Sequence, residues 1–198
     1  MQSFHFDFIS KTRPIQRPNS DMLNTARRAH RDGSPFALLL FPEGTLLSQL
    51  TQPKSTAYAN RIGVRVPENL LLPRATGLLY ALRSLGSVNP ELVLYDLTIG
   101  YSGMHVGAYS QDYYSLQTVY GYGQSAPEIR LHLQQLRLGE IPLGLPADLG
   151  ELKGLGTEEL EARCTEEVRK RFDEWIYDRW EKKVSRTPSV SACWRDRC

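Results

Sequence analysis

The run FALLLF at residues 36–41, followed at once by PEGT at 42–45, is the feature that most constrains the fold. The run is far shorter than the roughly 20 apolar residues that a membrane-spanning helix needs, but it is long enough for a strand. Strands that are apolar on both faces are typical of the centre of a sheet covered by helices. We therefore predict a buried central strand over 36–41 that ends in a turn carrying the carboxylate of Glu43.

The segments around this strand alternate between helix-like and strand-like patterns. Predicted helices cover about 20–31, 55–63, 76–86 and 157–183, and predicted strands cover 4–8, 70–73, 91–101 and 128–138. Residues 102–124 are rich in Gly, Tyr and Ser and predict a long irregular loop. This order favours an α/β fold, with a mixed sheet flanked by helices. Ligands in such folds bind beyond the carboxyl ends of the strands, and PEGT occupies that place.

The length of 198 residues fits one domain, which we expect over residues 1–183, with a frayed or disordered tail over 184–198. A net charge of +2 gives no electrostatic case for binding nucleic acid. The three cysteines form no CxxC pair, and their odd number argues against a secreted disulfide framework. The first residues lack the pattern of a signal peptide, and no apolar run of about 18 residues predicts a membrane span.

The PEGT turn offers three groups with chemical use. Gly44 lets the backbone turn and expose amide donors, Thr45 adds a hydroxyl, and Glu43 adds a carboxylate that needs donors if it is half-buried. On these residues alone, a strand-to-loop turn without chemistry is the better interpretation, and a small anion or hydroxyl site is the alternative.

Three blocks in this order, FALLLFPEGT, LLLPRATGLLYALRSL and LVLYDLTIGY, resemble the glycerolipid acyltransferase family, which includes the lysophosphatidic acid acyltransferases. The likeness is greatest to the branch of lysophospholipid and lysocardiolipin acyltransferases. The segment FHFDFISK resembles the end of an earlier F-I-x-x-R block, with Lys11 where arginine is usual. RFDEWIYDRWEKK resembles the end of the soluble domain of the same branch. An unrelated α/β protein with a chance FPEGT conflicts with the ordered matching blocks.

The resemblance implies acyl transfer from acyl-CoA, as co-substrate, to the hydroxyl of a lysophospholipid such as 1-acylglycerol-3-phosphate, with no metal and no other cofactor. It makes FPEGT the acceptor-binding block. The implied substrate-binding residues are Glu43, Gly44, Thr45, Lys11 and Arg74. Lys11 could equally solvate a proline-rich loop. The resemblance also implies the cytosolic face of the endoplasmic reticulum or another endomembrane, with peripheral membrane contact.

The family's catalytic block, N-H-x-x-x-x-D, pairs a histidine that acts as general base with an aspartate that orients it. The histidines of this chain are His5, His30, His105 and His132, and the residues five positions later are Ser10, Pro35, Ser110 and Arg137. No histidine therefore meets the pattern, and this chain has no implied catalytic residue.

In the family this block precedes F-I-x-x-R, so the resemblance implies a domain truncated at its amino-terminal end. We expect the chain to be inactive by itself. The alternative is a non-catalytic lipid-binding or interaction module on the same fold. Many family members have arginine after FPEGT, where this chain has Leu46, and this weakens an assignment to lysophosphatidic acid.

Overall fold

The computed structural model describes residues 20–103, 107–123, 125, 127–146, 159 and 162–186. The helices are α1 (Ser20–Asp32), α2 (Gln52–Ile62), α3 (Ala75–Val88), α4 (Ser110–Tyr113) and α5 (Glu166–Arg186), and the strands are β1 (Val93–Tyr101) and β2 (Ile129–Arg137). A π-helical turn covers Gln117–Gly121 and a 3₁₀ turn covers Leu138–Glu140. The predicted strand at 4–8 and the end of the predicted tail, 187–198, lie outside these residues.

The first three helices are confirmed, and two of them end as glycine predicts. Gly33 and Gly63, with φ of 63° and 71°, follow α1 and α2 in the left-handed conformation that ends helices. The end predicted for the third helix at Gly86 is wrong, because α3 continues through this glycine to Val88. A Cβ at Gly86 would lie 2.8 Å from Leu138 Cδ1, so this glycine permits close packing.

The helix predicted over 157–183 is helical at Glu159 and Ala162 but is interrupted before its main part. Residues 163–165 are not helical, and α5 begins at Glu166, where the Thr165 hydroxyl accepts a hydrogen bond from the Val168 N–H at 3.3 Å. Threonine is a favoured cap at this position, so a new helix begins directly after the interruption. Phe172, Ile176 and Trp180 are buried along one side of the helix.

The only sheet in the described part of the chain consists of β1 and β2, paired antiparallel. Helices and a sheet together fit the α/β class, but no mixed sheet is present among these residues. The predicted strands at 36–41 and 70–73 are wrong, because neither segment has a neighbouring strand to complete a ladder. Residues 36–41 alternate between half-buried and exposed, and Phe41 is 74% exposed.

One face of this two-stranded sheet is apolar and exposed. The Ser102 N–H donates to the Glu128 carbonyl oxygen at 2.9 Å, and this register sets odd-numbered residues opposite one another. The exposed face carries Tyr95, Leu97, Ile99, Tyr101, Ile129, Leu131 and Leu133, which are 38% to 64% exposed. The alternating pattern predicted a strand here correctly, but the half-exposed burial is wrong for its first part, because residues 129–133, Leu131 and Leu133 among them, are all exposed.

The chain divides into two compact units. The first contains residues 1–42, 74–94 and 135–176, and the second contains 43–73, 95–134 and 177–198. In the first unit α1 packs on α3, with Met22, Leu23 and Leu85 in the core. Buried Arg83 donates there to the carbonyl oxygen of Leu143.

In the second unit, side chains fasten the irregular segment after β1. The Tyr109 hydroxyl donates to Gln52 Oε1 at 2.7 Å, and the Gly107 N–H donates to Asn69 Oδ1 at 2.9 Å. This segment, predicted as a loop, contains α4 and the π-helical turn, and is otherwise irregular where it is described.

Candidate functional site

The PEGT turn has the backbone geometry that its glycine predicts. Gly44 has φ of 71°, in the left-handed region where a side chain is strained. The loop that follows is fixed by Thr51, whose hydroxyl accepts from the Ser48 N–H at 2.9 Å and donates to the Leu46 carbonyl oxygen at 2.7 Å. The turn therefore leads into a loop that is fixed by these hydrogen bonds and ends at the start of α2.

Glu43 is half-buried and has a backbone donor. Its Oε2 accepts a hydrogen bond from the Leu71 N–H at 3.1 Å. Burial raises the pKa of Glu43, while the Leu71 N–H and the positive charge of Lys183 act in the opposite direction. The carboxyl group therefore holds its proton to a higher pH than an ordinary glutamate does.

The segment that supplies this donor is held by side chains rather than by a strand ladder. The Leu71 carbonyl oxygen accepts from Trp180 Nε1–H at 3.1 Å, and the Leu72 N–H donates to Ser55 Oγ at 2.9 Å. Leu71 and Leu72 are both buried. The peptide group between them is thus fixed at its C=O end by α5 and at its N–H end by α2.

An ionic cluster joins the end of α5 to the sheet. Asp96 on β1 accepts from Arg179 Nη2 at 3.0 Å and from Lys183 Nζ, and its side chain is only 18% exposed. Arg179 also donates to Gln134 Oε1 on β2 at 3.0 Å. Lys183 Nζ lies 4.3 Å from the centroid of the Trp180 ring, a cation–π distance.

Sequence reasoning missed this cluster. A charged residue in the otherwise apolar strand LVLYDLTIGY was the available signal, because a half-buried carboxylate needs cationic partners. Which cations those would be depends on how the sheet packs against α5, about 80 residues further along. The sequence predicted the RFDEWIYDRWEKK segment as part of a helix, but not which of its charged residues would contact the sheet.

The structure places the predicted acceptor residues in different parts of the chain. Glu43, Gly44 and half-buried Thr45 belong to the second unit. Arg74 belongs to the first unit, where its side chain is exposed and its N–H donates to the Pro42 carbonyl oxygen at 2.7 Å. Lys11 lies outside the described residues.

Two of the four histidines lie in the described ranges. His30 and His132 are exposed, and His5 and His105 lie outside those ranges. The residues that the structure describes include no group of three or more metal-ligating side chains placed to hold an ion. None of the helices described is long and apolar enough to cross a bilayer.

Comparison with known proteins gives sequence relatives only; no protein-family model and no solved structure matches the chain. It is 35% identical over 150 residues, 75% of its length, to a 2-acyl-1-lysophosphatidylinositol acyltransferase of Saccharomyces cerevisiae. It is 30% identical over 183 residues, 92% of its length, to an uncharacterised acyltransferase of Schizosaccharomyces pombe. A lysocardiolipin acyltransferase of Danio rerio is 28% identical across 100% of the chain.

The matched regions span 31%, 44% and 46% of these three relatives, less than half of each. Relatives of the chain are named as acyltransferases of lysophosphatidylinositol, lysocardiolipin and 1-acylglycerol-3-phosphate. These names agree with the resemblance of the FPEGT, LLPRATG and YDLTIGY blocks to the glycerolipid acyltransferase family. The chain belongs to the glycerolipid acyltransferase family.

Proposed function

We propose that this chain is the acceptor-binding part of an acyltransferase that moves an acyl group from acyl-CoA to the hydroxyl of a lysophospholipid. The observation that carries the proposal is the Glu43–Gly44–Thr45 turn, with its carboxylate held by the Leu71 N–H, in a chain whose relatives are named as lysophosphatidylinositol and lysocardiolipin acyltransferases. The endoplasmic reticulum or another endomembrane is the proposed location, with the protein on its cytosolic face.

The chemistry around the turn suits an amphiphilic acceptor. Glu43 accepts hydrogen bonds from glycerol or head-group hydroxyls, and the amides and hydroxyl of Gly44 and Thr45 donate to phosphate oxygens. In the same unit Leu46 and Leu50 are 71% and 81% exposed, and can contact the acyl chain of the lipid. Arg74 and Lys11 are proposed as further contacts to the acceptor on the resemblance alone.

A second candidate is a lipid-binding or interaction module without catalytic activity. The observation that favours it is the absence of any histidine followed five positions later by aspartate. Loss of a positioned general base removes about 10²- to 10⁴-fold in rate. For either candidate we expect this chain alone to bind lysophospholipid without transferring acyl groups.

Binding and transfer are measured on the purified chain, with lysophosphatidylinositol below its critical micelle concentration and radiolabelled oleoyl-CoA. We expect lysophosphatidylinositol to bind, and Glu43→Ala to weaken binding roughly tenfold, because a hydrogen bond to a charged group contributes about 1.5–3 kcal/mol. Exposed Glu68, in the same unit, supplies the control Glu68→Ala, which should leave affinity unchanged.

Three outcomes separate the candidates. Acyl transfer that disappears in Glu43→Ala would rule out the non-catalytic module. Binding without transfer is expected of both candidates, and the gene then separates them: the block N-H-x-x-x-x-D in the reading frame upstream of Met1 favours the acyltransferase, and a reading frame without it favours the module. A folded chain that binds neither lysophosphatidylinositol nor oleoyl-CoA contradicts both candidates.

A further inference from the structure

We propose that Trp180 is a positioning residue for Glu43, and that it acts through the backbone of Leu71. This inference rests on the proposed function only in giving Glu43 a ligand to bind. The connection itself consists of contacts within one unit of the chain. Trp180 lies 137 positions after Glu43 in the sequence, and no motif links the two residues.

The geometry forms a continuous path from the indole to the carboxylate. Trp180 Nε1–H donates to the Leu71 carbonyl oxygen at 3.1 Å, and the Leu71 N–H donates to Glu43 Oε2 at 3.1 Å. These two groups belong to the peptide planes on either side of the Leu71 Cα. Fixing the C=O limits rotation about the ψ angle of Leu71, and thereby limits movement of the N–H that Glu43 accepts.

The indole is suited to this role because it is itself immobilised. Trp180 is 6% exposed, and Lys183 Nζ lies 4.3 Å from the centroid of its ring while also donating to Asp96. A buried indole N–H that lacks an acceptor is unfavourable, so the hydrogen bond to Leu71 is strongly preferred over rotation of the ring. The position of α5 therefore determines, through the Trp180 ring, where the 71–72 peptide lies.

Ser55 forms an independent second hydrogen bond to the same peptide group. Its Oγ accepts from the Leu72 N–H at 2.9 Å, so the 71–72 peptide is fixed at both ends. Removing either hydrogen bond should therefore change the pKa of Glu43 in the same direction. A purely structural role for Trp180 gives no reason for the effect of Ser55 to match it.

The test compares Trp180→Phe, which removes the N–H and keeps an aromatic ring beneath Lys183, with Ser55→Ala, a milder change. The control is Trp175→Phe, the same substitution on the same helix, at a residue whose ring lies 5.3 Å from that of Phe172. The readouts are amide hydrogen exchange at Leu71, the pKa of Glu43 followed by NMR, and affinity for lysophosphatidylinositol. Glu43→Gln identifies the Glu43 resonance.

We expect Trp180→Phe and Ser55→Ala to accelerate exchange at Leu71 about tenfold and to raise the pKa of Glu43 further, because the N–H that lowers it becomes misaligned. Affinity should fall several-fold in both variants, and Trp175→Phe should change none of the three. Unchanged exchange and Glu43 pKa in a folded Trp180→Phe protein would overturn the inference, and an effect of Ser55→Ala alone would also overturn it.

The binding measurement on the unsubstituted chain tests the proposed function separately from the role of Trp180. If the unsubstituted chain binds no lysophosphatidylinositol, the acceptor proposal falls. Leu71 exchange and the Glu43 titration still decide the role of Trp180, because neither measurement needs a ligand.

Discussion

At the scale of single residues, Glu43 shows how burial and hydrogen bonding compete over one carboxyl group. Burial is the larger influence and raises its pKa, whereas the Leu71 N–H and Lys183 lower it. A carboxyl group whose pKa is raised by folding stabilises the protein below its ordinary pKa, and this contribution is lost as the pH rises through the folded pKa. Charged Glu43 is therefore unfavourable for folding at neutral pH.

Glu43→Gln is accordingly expected to increase the free energy of unfolding at pH 7. Glutamine keeps an oxygen that accepts from the Leu71 N–H but carries no charge to bury. The gain should shrink as the pH is lowered to about 4, where glutamate is itself largely protonated. Urea unfolding at the two pH values measures this, with exposed Glu68→Gln as the control. A difference between variant and parent that does not depend on pH would contradict the argument.

At the scale of elements, charged side chains connect α5 to the sheet. Asp96 receives both Arg179 and Lys183, whose side chains are 14% and 10% exposed. Removing the shared anion would leave two mostly buried cations without their carboxylate. Removing one partner of a buried ion pair in this way strongly destabilises a protein.

Asp96→Ala should therefore lower the free energy of unfolding by roughly 3 kcal/mol, near the lower end of the range for such pairs. Asp178→Ala is the matched control, because Asp178 pairs with Lys182 on the surface of the same helix, with both side chains more than half exposed. That variant should change stability by about 0.5 kcal/mol or less. Equal effects in the two variants, measured by urea unfolding, would show that the Asp96 cluster contributes no more than a surface pair.

The elements that the sequence predicted well are those with local signals. α2 and β1 were found from a glycine stop and from a run of β-branched and aromatic residues, both of which lie within the element itself. The strand predicted at 36–41 failed because a ladder needs a neighbour, and an apolar run does not say whether one is present. The same limit hid Asp96, Ser55 and Trp180, whose roles arise from contacts between distant segments. The left-handed turn at Gly44 was predictable, but the donor to Glu43 was not.

At the scale of the whole molecule, the exposed apolar face of the sheet is the most unusual feature. Folded proteins rarely expose contiguous apolar patches larger than a few hundred Å². Seven large side chains of β1 and β2 lie on this face. We expect it to bind the dye ANS and to promote self-association at high concentration.

Replacing Leu97, Leu131 and Leu133 with threonine should reduce ANS fluorescence and self-association. Stability should change by about 0.5 kcal/mol or less per site, because these leucines are already 45% to 64% exposed and threonine favours strands. Leu136→Thr, at a site on β2 that is 7% exposed, is the contrasting variant and should lose roughly 2–3 kcal/mol. ANS fluorescence that persists in the triple variant would place the dye elsewhere.

The position of Trp180 also gives the protein an optical property. A buried indole that donates its N–H to a carbonyl oxygen and lies beneath an ammonium group emits differently from an indole in water. Any ligand that shifts Glu43, and with it the Leu71 peptide, changes the surroundings of this fluorophore. The contribution of Trp180, one of the three tryptophans of the chain, to the intrinsic emission can therefore follow occupancy of the turn without a label attached to protein or lipid.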